Sequence, residues 1–107
     1  NFVFQRTLLI MKEIISNLSK TFDSRIRVGI MSILMKSDWV DFTTLRDTLQ
    51  LTDGNLSSHL RALEKENMLK VKKHFVKNRP RSSYKITRNG LRKFRLHLDA
   101  FEKLIQK

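Results

Sequence analysis

The segment of residues 51–69, LTDGNLSSHLRALEKENML, limits the fold more than any other part of the chain, because it predicts a helix with two unlike faces. At 100° per residue, Leu56, Leu60 and Leu63 fall within about 60° of one another and form a buried face. The opposite face is small and polar for two turns and then basic. Gly54 alone weakens the helix by about 1 kcal/mol relative to alanine. Such a helix gives up stability in order to present a thin polar surface.

A first helix is predicted near the start of the chain, where an apolar stripe at 4-3 spacing ends at a break in residues 17–20. The stripe consists of Phe4, Leu8, Met11, Ile15 and Leu18. This spacing suits a helix that packs on its own domain and equally a helix that forms half of a dimer interface, so both alternatives stay open.

A second helix is predicted after this break. It begins at Asp23 or Ser24, either of which can cap it, and it ends around residues 36–38. Its buried face consists of Ile26, Ile30, Ile33 and Leu34.

A short extended piece and a third helix come next. The extended piece is WVDF, residues 39–42, and Thr43 then caps a helix over residues 44–50. After a tight turn, Thr52 caps the helix of residues 52–66.

A β-hairpin is predicted after this helix. Residues 68–76 alternate apolar and basic side chains, as in a half-buried strand. Residues 77–81, KNRPR, are the predicted loop, with the run from Arg79 through Pro80 to Arg81 at its tip, and residues 82–86 are the return strand. The apolar residues of the two strands are Leu69, Val71, Phe75, Tyr84 and Ile86.

The predicted order is helix, helix, short strand, helix, helix, strand, strand, helix. Two short helices joined by a tight turn and followed by a basic hairpin predict a winged helix-turn-helix. The fold class is therefore mainly α with a small β-hairpin wing (α+β). We expect one domain over residues 1–107, with an N-terminal helix in 1–20, the winged helix core in 22–86 and a C-terminal helix in 87–107.

The last helix, capped by Thr87, carries a second apolar stripe. The stripe consists of Leu91, Phe94, Leu98, Phe101 and Ile105. Its first two members suit the domain core, whereas Phe101 and Ile105 lie beyond any core of this length. We therefore expect a homodimer, formed by the N- and C-terminal helices, that reads two half-sites about one helical turn apart. Its predicted contacts are Leu8, Met11, Ile15, Leu18, Leu98, Phe101 and Ile105.

The chain contains 22 Lys and Arg and 10 Asp and Glu residues, a net charge of +12. Of these, 15 basic and 4 acidic residues lie in 61–107, so the C-terminal half carries nearly all of the excess. This charge predicts a polyanionic partner, nucleic acid first and an anionic membrane second. The apolar run LLIM is far too short to span a membrane, so we expect double-stranded DNA and no membrane partner.

The polar face of the helix over residues 52–66 has the shape that a DNA major groove requires. That groove is about 12 Å wide and admits a helix only if bulky side chains do not hold it off. Asn55 can pair with adenine, and Arg61 with guanine or a phosphate. The predicted DNA contacts are Thr52, Gly54, Asn55, Ser57, Ser58, Arg61 and Lys65. A solvated face or a flexible helix start would look similar, so the interpretation depends on the charge and on the hairpin.

The hairpin carries seven basic residues, more than are needed to protect a sheet edge from aggregation. Arginines on a wing enter a minor groove or bind the phosphates beside it. The predicted DNA contacts of the wing are Lys72, Lys73, Lys77, Arg79 and Arg81.

Neither a metal site, a cofactor nor a catalytic site is expected. The chain has no cysteine, which excludes disulfides and thiolate metal sites. His97 and Asp99 point about 200° apart on one helix, so they do not chelate together. His59, at the core boundary, is expected to be a hydrogen-bonded framework residue. Hydrolase triads, glycine-rich phosphate loops and paired carboxylates are not recognisable, so we expect no enzyme.

The run VDFTTLRDTLQLTDGNLSSHLRALEKENMLKVKKHFVKNRPRSSYKITRNGLRKF resembles winged helix DNA-binding regulators related to the MarR and ArsR groups. The resemblance covers residues 24–94, and LTDGNLSSHL and RPRSSY are its most specific parts. It implies a homodimeric bacterial transcription regulator with a reader helix in residues 52–66 and a wing in residues 73–83. The family usually has glycine where this chain has Asn67; asparagine tolerates the same left-handed conformation, so we expect the helix end to survive.

Two functions stay open at this point. The first is a sequence-specific, homodimeric, DNA-binding transcriptional regulator in the cytoplasm, and the second is a non-specific nucleic-acid-binding or protein-interaction winged helix. A small-molecule effector would bind between the dimer helices and the core, as in related regulators, although no polar cluster identifies it. Because the chain opens with Asn1 rather than Met, we expect some residues to precede it.

Overall fold

The structure, a computed structural model, describes residues 2–22 and 24–106. Its helices are α1 (Phe2–Ser16), α2 (Arg25–Met35), α3 (Phe42–Leu49), α4 (Asp53–Lys65) and α5 (Arg88–Ile105), with a 3-10 turn at Lys20–Phe22. Its strands are β1 (Val40–Asp41), β2 (Leu69–Val76) and β3 (Arg79–Ile86). They form one antiparallel sheet in the order β1-β3-β2. This arrangement confirms the predicted fold class, a mainly α winged helix with a hairpin.

One hydrophobic core lies where α2, α3, α4 and the start of α5 meet the base of the hairpin. Its buried members are Phe22, Ile30, Met31, Leu34, Leu45, Leu56, Leu60, Leu63, Met68, Leu69 and Phe94. All three leucines predicted for the inner face of α4 are among them. Burial of each such side chain contributes about 1.5–3 kcal/mol, so this face fixes the orientation of α4.

The C-terminal end of α4 turns sharply at Asn67, whose φ of 61° is left-handed. The backbone amide of Asn67 donates to the backbone carbonyl of Glu64 at 2.9 Å. The backbone amide of Met68 donates to the backbone carbonyl of Leu63 at 2.9 Å. These two bonds form a Schellman end, which satisfies carbonyls that the helix leaves open. The expectation that asparagine replaces glycine at this helix end is confirmed.

The start of α3 was predicted wrongly. The helix begins at Phe42 rather than at residue 44, and its cap is Asp41 rather than Thr43. The Asp41 carboxylate accepts hydrogen bonds from the hydroxyl and the amide of Thr44, and these bonds hold the pKa of Asp41 below its usual range. Thr43 instead accepts a hydrogen bond from Arg81 on β3. Thr43 therefore contacts the hairpin and does not cap α3.

The cap of α2 is Ser24, whose hydroxyl accepts hydrogen bonds from two amides of the first turn. The alternative cap, Asp23, lies outside the described residues. Arg27 in the same turn donates from Nε to Nδ1 of His59 at 3.2 Å. This bond joins α2 to α4 and confirms that His59 is a framework residue.

The tip of the hairpin was also predicted wrongly. The turn consists of Lys77 and Asn78, whose φ values of 51° and 64° are both left-handed, and such two-residue turns match the twist of the flanking strands. The run from Arg79 through Pro80 to Arg81 therefore lies in β3 and not at the tip. Proline is tolerated in β3 at this point because β1 pairs only with a later part of that strand.

Helix α5 is fastened to the end of α4 at Gly90. A Cβ at this position would lie 1.9 Å from the carbonyl oxygen of Met68, so only glycine permits the approach. The Thr87 hydroxyl caps α5 by accepting from the Gly90 amide at 2.9 Å and donates to the carbonyl of Asn67 at 2.7 Å. The start of α5 and the base of the wing therefore move as one unit.

His97 is buried on the inner side of α5, a position that the sequence pattern did not indicate. Its Nδ1 accepts a hydrogen bond from the backbone amide of Ser19 at 3.0 Å. Its ring lies edge-on to Phe22 and Phe101, with ring centroids 5.2 Å and 5.0 Å away. The link between α1 and α2 is thereby attached to α5.

Helix α1 and the end of α5 project from this core. No residue of Phe2–Ser16 is buried, and α1 packs mainly along α5. The molecule measures 67 × 25 × 22 Å, and its radius of gyration is 17.1 Å. A compact chain of this length has a radius of gyration of about 13 Å. The two projecting helices account for the difference.

Candidate nucleic-acid interface

The outer face of α4 is open to solvent. The Thr52 hydroxyl caps the helix by accepting from the Asn55 amide at 3.2 Å, which leaves the rest of the first turn facing outwards. The exposed residues are Thr52, Gly54, Asn55, Ser58, Arg61 and Lys65, and Ser57 is half-buried. The structure therefore places all seven predicted contact residues of this helix on or at the edge of one accessible face.

Gly54 has no partner within the chain that would demand a glycine. A Cβ built at this position meets nothing within 4 Å, and the residue has ordinary helical φ. Packing and backbone strain therefore do not explain why a poor helix former occurs here. The fold itself therefore leaves room for a larger residue at this position.

A cleft of about 340 Å³ separates α4 from the hairpin. It is lined by Ser57, Leu60, Arg61 and Glu64 of α4 and by Val71, Lys73, Ser82 and Tyr84 of the strands. Two cations, three hydroxyls and the Glu64 carboxylate converge on this space, and the cations and hydroxyls can bind phosphate oxygens. Burial raises the pKa of Tyr84, while a hydrogen bond with Ser82 lowers it and the Glu64 carboxylate raises it to a smaller extent.

A second recess, of about 380 Å³, lies between the start of α4 and β3. Its lining includes the guanidinium groups of Arg46, Arg79 and Arg81. Arg81 is held by the hydrogen bond from its Nη1 to the Thr43 hydroxyl at 3.1 Å. The two wing arginines of the predicted interface therefore line this recess instead of extending from a loop.

Arg46 was missed by the sequence analysis. Its Nη1 lies 2.9 Å from Oδ1 of Asp53, and its Nε lies 3.1 Å from Oδ1 of Asp47. The bonds to these carboxylates raise the pKa of Arg46. The sequence signal for this pair is an arginine seven residues before an aspartate, with a tight turn between them. This spacing indicates a contact only when the relative positions of α3 and α4 are known.

The alternation of β2 divides the basic residues of the wing between two faces. Lys73 faces the cleft beside α4, whereas Lys72 lies on the opposite face with its Nζ 4.7 Å from the centre of the Trp39 ring. On that same face Lys85 lies 2.9 Å from the carboxylate of Asp38 and holds the pKa of Asp38 below its usual range. Lys77 lies in the turn at the tip. The predicted set of wing contacts is thus split by the sheet.

The predicted dimer contacts lie on α1, just after it, and on the second half of α5. Leu18 is half-buried and the other six are exposed in the single chain, Phe101 to 48% and Ile105 to 78%. Further exposed apolar residues on α1 are Phe2, Val3, Phe4, Leu9 and Ile10. An apolar surface of this extent on projecting helices is typical of a surface that a partner covers.

Residues 2–22 and 24–106 contain neither a membrane-spanning helix nor a metal-binding cluster of side chains. Within these ranges no helix is long and apolar enough to cross a membrane. Nor do three His, Asp or Glu side chains in the same ranges come together as a metal site would require.

Fold and site together define a winged helix protein with an exposed polar face on α4 and a basic wing. The chain belongs to the family of winged helix DNA-binding domains, whose pattern it matches over residues 26–105. An uncharacterized protein of Methanocaldococcus jannaschii is 39% identical over 71 residues, which are 66% of this chain and 77% of that protein.

Solved structures show the same architecture. A transcriptional regulator homologue from Pyrococcus horikoshii is 33% identical, with a TM-score of 0.77 over 88% of this chain and 91% of that one. The DNA complex of MepR from S. aureus is 17% identical, with a TM-score of 0.71 over 99% of this chain and 87% of that one, and it shows the fold alone. Family and fold are those of winged helix DNA-binding domains, a fold shared with the transcriptional regulator homologue from Pyrococcus horikoshii. The bacterial origin implied by the resemblance stays a prediction.

Proposed function

We propose that the chain is a sequence-specific, double-stranded-DNA-binding transcriptional regulator that acts as a homodimer. The recognition helix of residues 52–66 enters the major groove, and the wing of residues 73–83 lies on the backbone and the adjacent minor groove. The observation that carries this proposal is the cleft between α4 and the hairpin. Arg61 and Lys73 face it from opposite sides, so one phosphate strand fits between a helix in one groove and a hairpin at the next.

The proposed contacts divide into two kinds. Asn55, Ser57, Ser58 and Arg61 contact base edges or the phosphates beside them, while Gly54 lets the helix backbone approach. Phosphates are bound by Thr52, Lys65, Lys73, Lys77, Arg79 and Arg81, and we add Arg46 because it lines the same recess as the two wing arginines. Lys72 lies over Trp39 on the far face, so its part is to strengthen the positive field.

The homodimer is proposed to form through α1 and the second half of α5. Its support is the exposed apolar surface on these two helices, which the core of one chain does not cover. A two-fold dimer presents two copies of α4 to half-sites about one helical turn, or roughly 34 Å, apart. We further propose that the chain acts as one domain in the cytoplasm and that a small effector, where one exists, binds between the dimer helices and the core.

The test is selection of bound duplexes from a random pool with the purified protein. Enrichment of a motif with two inverted half-sites supports the proposal. Binding to the enriched duplex is then measured against random competitor at several salt concentrations, because phosphate contacts make affinity fall steeply with salt. Equal affinity for selected and random DNA would instead assign the chain to the second function, a non-specific winged helix, which the Lys70 and Lys72 face around Trp39 would also serve.

A further inference from the structure

The outer end of the wing carries a phenylalanine whose ring is not used by the fold. Phe75 is 76% exposed, and it lies two residues before the turn of Lys77 and Asn78. Single exposed apolar residues are common on proteins, so exposure alone carries nothing. What makes Phe75 informative is the direction it faces and the charges around it.

Strand alternation places Phe75 on the same face of the sheet as Lys73. Lys73 lines the cleft together with Ser57 and Arg61 of the recognition helix. A strand rises by about 3.3 Å per residue, so Phe75 lies about 7 Å further out along the wing than Lys73. If the cleft holds one phosphate strand, as proposed above, the next feature of the duplex beyond that strand is the minor groove. In that arrangement Phe75 would face the minor groove.

The surroundings of Phe75 select an acidic partner. Residues 69–86, which form the whole hairpin, contain no Asp or Glu. In the hairpin, Lys73 shares a face with Phe75, Lys77 lies in the turn, and Arg79 pairs with Val76 beside it. A second copy of this chain, with its net charge of +12, would bring like charges together here. Duplex DNA supplies phosphates on both sides of a groove whose floor accepts an apolar group.

We propose that Phe75 enters the minor groove as an apolar wedge, partly unstacks one base step and bends the duplex towards the major groove. This inference rests on the proposed DNA-binding function and adds a way of reading sequence. Pyrimidine–purine steps unstack most easily, so the wing selects such a step without a hydrogen bond to it. The direct contacts of α4 and the deformation beneath Phe75 then act on different base pairs.

The first experiment measures the bend. The selected duplex carries a donor and an acceptor dye at its two ends, and energy transfer is recorded with the wild-type protein, Phe75→Ala and Val76→Ala. Val76 is the matched control, since it is the adjacent apolar residue, is 42% exposed and points to the opposite face of the hairpin. We expect a bend of about 20–90° with the wild type and with Val76→Ala. Phe75→Ala is expected to lose most of the bend and to bind on the order of ten-fold more weakly.

The second experiment changes the DNA. Replacing the flexible step beneath the wing by a stiff A-tract is expected to weaken the wild type several-fold and to leave Phe75→Ala nearly unaffected. If Phe75→Ala binds the selected duplex specifically and bends it as strongly as the wild type does, the wedge is overturned. The proposed function would then remain intact. Equal losses in both variants would also overturn it, because they would indicate general damage to the wing. If the wild-type protein binds the selected duplex no more tightly than random DNA, the proposed function itself is wrong.

Discussion

Gly54 lies in the first turn of α4 with open space where a Cβ would be. Replacing it by alanine adds helix propensity without a clash, so we expect Gly54→Ala to raise the free energy of unfolding by up to about 1 kcal/mol. If α4 enters a groove as proposed, the same methyl group stands between the backbone and the base edges, and DNA affinity falls. Thermal unfolding and binding to the selected duplex, measured on one preparation, give both values. A variant that is more stable and binds equally well would contradict the role given to Gly54.

Arg61 and Lys77 allow base reading to be separated from phosphate binding. Arg61 is exposed on α4 beside the cleft, and Lys77 lies in the turn at the wing tip. We expect Arg61→Ala to lose about 1–3 kcal/mol of discrimination at the base pairs it contacts. Lys77→Ala should weaken all sequences alike and reduce the slope of affinity against salt by about one phosphate. The measurement is competition between the selected duplex and duplexes mutated one base pair at a time; a uniform loss with both variants would show that α4 is not the reader.

At the scale of the elements, α2 and α4 are joined by the hydrogen bond from Arg27 to His59. Burial lowers the pKa of His59 from 6.5, and the charge of Arg27 lowers it further. The folded protein therefore binds this proton less readily than the unfolded chain. Stability from this site is complete above pH 6.5 and falls as the pH drops below it, because the unfolded state is protonated first.

His59→Asn tests this dependence, since the side-chain oxygen of asparagine can accept the Arg27 hydrogen bond without titrating. Denaturant unfolding at a series of pH values between about 5 and 8 gives the free energies of unfolding. We expect the wild type to lose stability relative to His59→Asn as the pH falls below 6.5. Parallel curves for the two proteins would mean that His59 titrates alike in the folded and unfolded states.

The elements that could be predicted from sequence are those whose signals are local. Thr52 caps α4 and Asn67 ends it through bonds within a few residues, and the leucines of α4 repeat at helical spacing. The hairpin tip was misplaced because Pro80 looks like a turn residue until its pairing with β2 is known. The cap of α3 was misplaced because Thr43 is held by Arg81, which is 38 residues away.

The candidate site divides in the same way. The outward face of α4 follows from helical periodicity alone, and the structure places every residue of that face as the pattern indicated. Arg46 was not found, because its place in the recess depends on how the α3–α4 turn brings it to Asp53. The separation of Lys72 from Lys73 requires the observed sheet, in which one of the two faces Trp39 and the other faces α4.

At the scale of the whole molecule, the projecting α1 and α5 predict how the chain assembles. Leu8 lies in the exposed apolar stripe of α1, and Arg6 lies two residues away, about 200° around the helix. We expect Leu8→Glu to shift a dimer towards monomers and to weaken binding to a duplex with two half-sites more than to one with a single half-site. Arg6→Glu introduces the same residue outside the 4-3 stripe of Leu8 and should disturb the dimer less.

Sedimentation velocity at micromolar concentration measures the state of both variants. If Leu8→Glu sediments as the wild type does, α1 is not part of the proposed interface. Arg6→Glu that dissociates as readily as Leu8→Glu would indicate that any change of charge on this helix disrupts assembly, and the apolar stripe would lose its assigned role.

The absence of any buried residue in Phe2–Ser16 has a consequence for biosynthesis. Helix α1 ends at Ser16, but α5, the element of its own chain on which it lies, begins only at Arg88. During translation the apolar stripe on α1 therefore stays exposed to solvent while α4 and the hairpin are synthesised and fold. If subunits pair through this stripe as proposed, two adjacent growing chains on a polysome can begin to pair before either has left its ribosome.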